Sequence, residues 1–138
     1  MNDLCEVIGL PSRQEAHETE VSMYQINRSV VVVRRKQPFV DWANSTNAVG
    51  DTNVITLADV NDEPNVYLIP EYEDDKSLKR ILPTAIACIW DSELSGWYTD
   101  EARWPRDRSA NAFHEWFDLE IGSMVYDLLD DPIAKEET

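Results

Sequence analysis

Four consecutive β-branched residues, Val30-Val31-Val32-Val33, constrain the fold of this chain more than any other feature. Two substituents on Cβ stiffen the side chain and favour extended backbone. A continuous apolar run of this length, without polar alternation, suits a strand covered on both faces. Arg34-Arg35-Lys36 ends the run with charge, and Pro38 then stands where its fixed φ presets the first turn of a helix. That helix is expected from Pro38 to Asn44.

The rest of the chain supplies partners for this strand. Val66-Tyr67-Leu68-Ile69, stopped by Pro70, reads as a second strand. Between the two, residues 45–64 are rich in Asn, Thr and Asp, with a brief helical turn expected from Thr56 to Val60. After Pro70 comes the clearest helix. Leu78, Ile81, Leu82, Ala85, Ile86, Ile89 and Trp90 recur at three- and four-residue steps and form one apolar face. Asp74 or Asp75 caps its start, Gly96 closes it, and Pro83 is expected to kink it or split it after Leu82. Ser109 caps a short helix from Ala110 to Phe117, and Leu119 to Leu128 reads as a last strand. The expected fold class is α+β, a small three- to four-stranded sheet packed against helices in the order β-α-β-α-α-β. A fourth short strand is an option near Trp97-Tyr98. Residues 1–22 read as a flexible extension, 23–130 as a single α+β domain and 131–138 as a loose acidic tail.

Charge narrows the choice of partners. The 138 residues carry a formal net charge of −15, unevenly spread. Residues 1–22 hold one base and five acids, 23–60 four bases and three acids, and 61–138 seven bases and nineteen acids. The last segment repels a phosphate backbone and an anionic membrane surface, so neither nucleic acid nor membrane is an expected partner. It attracts a basic protein. No apolar run reaches the roughly 20 residues that cross a bilayer, and the N-terminus lacks the pattern of a signal peptide, so a cytoplasmic location is expected. In such a compartment Cys5 and Cys88 form no structural disulfide, and Cys88, in an apolar helical stretch, reads as a small buried hydrophobe.

Catalytic signatures are thin. The glycines stand apart at 9, 50, 96 and 122, so no dinucleotide fingerprint or P-loop can be built. No nucleophile elbow surrounds Ser109 or Ser123. A hard metal ion has one weak candidate set: Asp118 and Glu120 on one face of an extended segment, His114 a turn earlier, and Glu71 and Glu73 after the second strand. Asp74 and Asp75, beside them, already have a role as caps. No cofactor is expected. Arg34-Arg35-Lys36 and Arg103, Arg106, Arg108 are basic clusters that, in so acidic a chain, pair with local carboxylates or stack on Trp104.

The strongest candidate for a working surface is the stretch from Trp90 to Trp116, which holds four of the five tryptophans among spaced acids. Trp90, Phe113, Trp116 and Phe117 belong to helices and read as core. Trp97, Tyr98 and Trp104 lie in a loop with Asp100, Glu101 and Asp107, and an aromatic flanked by charge has the composition of an interface anchor.

Several motifs together, Gln37-Pro38-Phe39-Val40-Asp41-Trp42, Tyr67-Leu68-Ile69-Pro70-Glu71-Tyr72, Glu93-Leu94-Ser95-Gly96-Trp97-Tyr98, Trp104-Pro105, Glu115-Trp116-Phe117-Asp118 and Ser123-Met124-Val125-Tyr126-Asp127-Leu128, resemble a group of small acidic bacterial proteins with no assigned activity. The resemblance spans about residues 23–128. It implies a bacterial, cytoplasmic, single-domain protein and carries no catalytic residue over. The residues themselves name no reaction. The reading they support best is a non-catalytic acidic protein-binding module. The competing reading is a small carboxylate-centred enzyme, with a divalent metal as an option.

Overall fold

The computed structural model of the protein describes residues 22–47 and 53–138. The extension expected over residues 1–22 therefore lies, apart from Ser22, outside the described residues. The chain divides into two compact units, Arg28–Ser123 and a smaller one made of Met1–Asn27 with Met124–Thr138.

In the smaller unit, strand β1 (Tyr24–Ile26) pairs antiparallel with strand β5 (Val125–Asp127), Tyr24 opposite Asp127 and Ile26 opposite Val125. The Ser22 amide donates to the Leu128 carbonyl at 3.2 Å and extends the pairing. Residues 128–138 have no regular secondary structure.

The larger unit is an α+β layer structure. Its sheet has the order β3-β2-β4, with β2 spanning Arg28–Arg35, β3 Asn65–Pro70 and β4 Phe117–Gly122, all antiparallel. Around it lie α1 (Gln37–Ser45), α2 (Leu57–Val60), α3 (Asp75–Ser95), a single 3-10 turn (Glu101–Arg103) and α4 (Ala110–Trp116). The valine run forms the central strand, as a continuous apolar segment must when both neighbours pair with it. Its two faces are unequal. Ser29, Val31 and Val33 are buried, whereas Val30 and Val32 on the opposite face are half-buried. The expected double coverage is thus complete on one face only. On the less covered face, Val66 and Leu68 of β3 are 60% and 49% exposed, and Arg34 reaches Glu120 at 2.6 Å.

Helix starts follow local chemistry. Pro38 occupies the first turn of α1. Thr56 and Asp59 make a reciprocal capping box for α2, and Asp74 and Ser77 another for α3. The Ser109 hydroxyl accepts from the Ala112 amide to cap α4. Helix α3 runs unbroken through Pro83, so the expected split after Leu82 does not occur. Its buried face is Ile86, Ile89, Trp90, Glu93 and Leu94, and these pack with Val31, Val33, Phe39, Ala43, Phe113 and Phe117 in one core. Trp90 is central there, edge-on to Phe113, Trp116 and Phe117 at centroid distances of 5.6, 5.6 and 5.3 Å.

Two further sequence expectations need correction. The last strand is not continuous: β4 ends at Gly122, and β5 resumes at Val125 in the other sheet. Apolar residues fall on both faces of an extended 119–128, with Leu119, Ile121 and Val125 on one and Met124, Tyr126 and Leu128 on the other, so a single strand fits the sequence and the change of partner does not show in it. Cys88 is exposed rather than buried, because it lies off the Ile86–Ile89–Trp90 stripe of α3.

Candidate functional site

Alternation along β2 carries the inward face from Val31 and Val33 to Arg35. The helical step from Ile89 and Trp90 carries the inward face of α3 to Glu93. The two charged groups meet there, with Arg35 Nε donating to Glu93 Oε1 at 2.7 Å. The Glu93 side chain is fully buried, so its charge must be met inside the protein. Beyond Arg35 it accepts from Asn65 Nδ2 and from the Tyr67 hydroxyl, both at 2.6 Å on Oε2. The Arg35 guanidinium also donates from Nη1 to the Val60 carbonyl at 2.7 Å and lies over the Phe39 ring. The Arg35 backbone is fixed in turn by Asn61, which accepts from its amide and donates to its carbonyl, both at 2.8 Å.

Tyr67 has one hydroxyl proton, and Glu93 takes it. The contact with Ser92 Oγ at 3.0 Å therefore has Ser92 as donor. Burial, and then the hydrogen bond to Glu93, push the Tyr67 hydroxyl from an ordinary value of 10.0 up to about 12. Among the described residues, no buried side-chain nitrogen or oxygen lacks a hydrogen-bond partner.

This network forms one wall of a cavity of about 320 Å³, bordered also by Asp59 of α2 and by Gly96 and Trp97 just past α3. A second concavity, of about 400 Å³, lies between β3 and α3 and is lined almost wholly by apolar groups, including Leu68, Ile81, Ala85 and Cys88.

The candidate interface residues share the segment from Trp97 to Asp107, and each has a defined local state. Trp97 is 40% exposed. Its Nε1 donates to the Ala43 carbonyl at 3.3 Å, and its ring meets Phe39 edge-on. Tyr98 and Trp104 are half-buried against the core. Trp104 Nε1 donates to the Tyr98 carbonyl at 2.7 Å, Arg103 lies over the Tyr98 ring, and Arg108 lies over the Trp104 ring. Asp100 accepts from the Ala102 amide and starts the 3-10 turn, while Glu101 is exposed. Asp107 accepts from the Ser109 amide at 3.1 Å, and hydrogen bonds from the side chain and then the backbone of Ser109 hold its carboxyl below the usual range.

Two further indoles tie the same segment down. Trp42 Nε1 donates to the Arg103 carbonyl at 2.8 Å, and Trp90 Nε1 to that of Ser109 at 3.2 Å. Four indole N–H groups thus bond to backbone carbonyls either within the connection from α3 to α4 or, for Trp97, from that connection to α1.

The alternative carboxylate set is dispersed. Asp118 and Glu120 share the face of β4 turned away from Leu119 and Ile121, and Glu120 is engaged by Arg34. His114 is exposed on α4, with its ring edge-on to Phe113. Glu71 and Glu73 are exposed after β3. Among the described residues, no three His, Cys, Asp or Glu side chains are grouped so as to hold a metal ion. No described helix is long and apolar enough to cross a membrane.

The sequence places Arg35 in a basic cluster expected to pair with local carboxylates, but marks neither Glu93 nor Asn65 as a site residue. A signal for the Arg35–Glu93 pair existed. Glu93 continues the apolar helical face of α3, and Arg35 continues the inward alternation of β2. An acid and a base each at a core-facing position call for one another.

No protein-family model matches the chain, and neither does any curated protein or solved structure.

Proposed function

We propose that this protein is a non-catalytic binding module for a basic protein partner, with Trp97 as the aromatic anchor of its contact surface and Asp100, Glu101 and Asp107 as its acidic surround. The observation that carries this reading is the state of Trp97. Its ring is 40% exposed while its N–H is tied to the Ala43 carbonyl. An aromatic side chain already fixed in place loses little conformational entropy on binding, which is the economy an anchor residue needs. The flanking acids are exposed, and the chain's net charge of −15 raises the encounter rate with a basic partner at low salt.

The test is affinity capture by immobilised wild type, Trp97→Ala, and Trp97→Ala with Glu101→Lys, each checked for wild-type circular dichroism. Wild type is expected to retain a basic protein that elutes as salt rises. The single variant retains it poorly and the double variant not at all. Equal retention by all three disproves the surface assignment.

A further inference from the structure

We propose that the cavity beside the Arg35–Glu93 pair binds a small, uncharged, planar ring bearing an amide edge. The inference goes beyond the protein-binding reading and does not depend on it: the two share Trp97, but this one rests on the cavity and not on the acidic surround.

Size sets the first limit. About 320 Å³ is at the low end of small-molecule sites and suits one ring with few substituents.

Hydrogen-bonding capacity sets the second. A guanidinium has five N–H donors. Arg35 uses Nε on Glu93 and one N–H of Nη1 on the Val60 carbonyl. Its remaining three meet no acceptor among the described residues. Acceptors stand on the same cavity wall. Asp59 takes the Thr56 amide on Oδ2, which leaves Oδ1 without a donor among the described residues. Asn65 spends its Nδ2 on Glu93, and its Oδ1 is likewise without a donor among them. Residues with unused donors and residues with unused acceptors therefore line one space.

Charge sets the third. A carboxylate ligand would face Glu93 and Asp59, and an ammonium or amidinium would face the Arg35 guanidinium. Either meets a like charge in a partly desolvated site. An amide edge presents a carbonyl to the donors and an N–H to the acceptors and carries no charge to be repelled. Trp97 supplies the stacking face at the border of the cavity, its ring fixed by the bond to Ala43.

Three probes of one shape separate these cases: benzamide, benzoate and benzamidine are the neutral, anionic and cationic versions of the same ring. Each is titrated into 15N-labelled full chain while the indole N–H cross-peak of Trp97, assigned from its loss in Trp97→Leu, is followed. Benzamide is expected to shift that peak saturably, with the two charged probes at least tenfold weaker. Asp59→Asn, which leaves the Arg35–Glu93 pair in place, should weaken benzamide several-fold. Trp97→Leu, read on the Asn65 side-chain amide, should weaken it tenfold or more. Tighter binding of either charged probe overturns the proposal, as does a linear, unsaturable shift with benzamide or an unchanged affinity in both variants. Glu101→Lys, which removes acid from the protein-binding surface but not from the cavity, should bind benzamide normally. Undiminished partner capture by this variant, with benzamide binding intact, would count against the protein-binding reading alone.

Discussion

Arg35 Nε and Glu93 Oε1 lie 2.7 Å apart, with the carboxylate side chain fully buried and the guanidinium nearly so. The pair joins the central strand to the long helix through charge, within a network shared with Asn65 and Tyr67. Two desolvated charges return little net stability as a pair, but removing one leaves the other stranded. Arg35→Met should therefore destabilise the protein by about 3–5 kcal/mol in urea unfolding, and Glu93→Leu by a similar amount. The double variant should cost clearly less than the sum of the two, since neither charge is then left without its partner. Strict additivity would mean that the pair does not act as a unit.

Tyr67 links the same carboxylate to alkaline pH. Its hydroxyl is raised from 10.0 to about 12 in the folded protein, so between these values the folded state holds a proton that the unfolded chain has released. The stabilisation is complete below pH 10 and is lost as pH rises toward about 12. Tyr67 is only half-buried, and solvent screening holds the contribution to at most about 1–2 kcal/mol. The informative quantity is the difference between wild type and Tyr67→Phe. Urea midpoints at pH 9 and pH 11 should converge as pH rises, because wild type loses a contribution that the variant never had. A constant gap between the two proteins would show that Tyr67 does not titrate late.

The sheet and the helices could be read from local pattern, and the site could not. Val30–Val33 announced a central strand, and the period from Leu78 to Trp90 announced α3 with its buried face. These signals depend only on neighbours in sequence. The pairing of β1 with β5, and the break between β4 and β5, depend on which strand lies alongside, and no local pattern encodes that for three-residue strands. Arg35 and Glu93 lie 58 positions apart in sequence. Each is an ordinary charged residue until both inward faces are drawn. The roles of the tryptophans were hidden for a related reason. Composition marked Trp97 and Trp104 as loop aromatics, but the carbonyls that accept their N–H groups belong to Ala43 and Tyr98, and a backbone acceptor has no sequence signature.

Those indole bonds give a prediction of their own. Trp42 is buried and donates to the Arg103 carbonyl across 61 positions of sequence. Trp42→Phe keeps an aromatic ring near Phe39 and Trp116 but removes the donor and part of the apolar volume. Loss of one such hydrogen bond costs about 1 kcal/mol, with a cavity contribution added to it. The change should also be local. Amide exchange in residues 98–108 should accelerate more than exchange in β2, because the indole holds the 3-10 turn and not the sheet. Uniform acceleration across both regions would show that Trp42 supports the whole core and not that segment in particular.

Acid pH should act through two helix caps. The Ser77 amide and hydroxyl hold the Asp74 carboxyl below its ordinary 3.8, and Ser109 does the same for Asp107, through its side chain first and then its backbone amide. A carboxyl depressed in the folded state stabilises it at any pH above the unfolded value, and that contribution is lost as pH falls through the folded value. Both groups are solvent-exposed, so the expected effect is small and is best read as a difference. Asp74→Asn with Asp107→Asn keeps an oxygen acceptor at each cap and removes the titration. Wild type should be the more stable at pH 7, and the gap in urea midpoint should narrow as pH falls below the ordinary carboxyl value of 3.8. If the gap is as wide at pH 2.5 as at pH 7, the stability difference comes from the shape of the caps rather than from their charge.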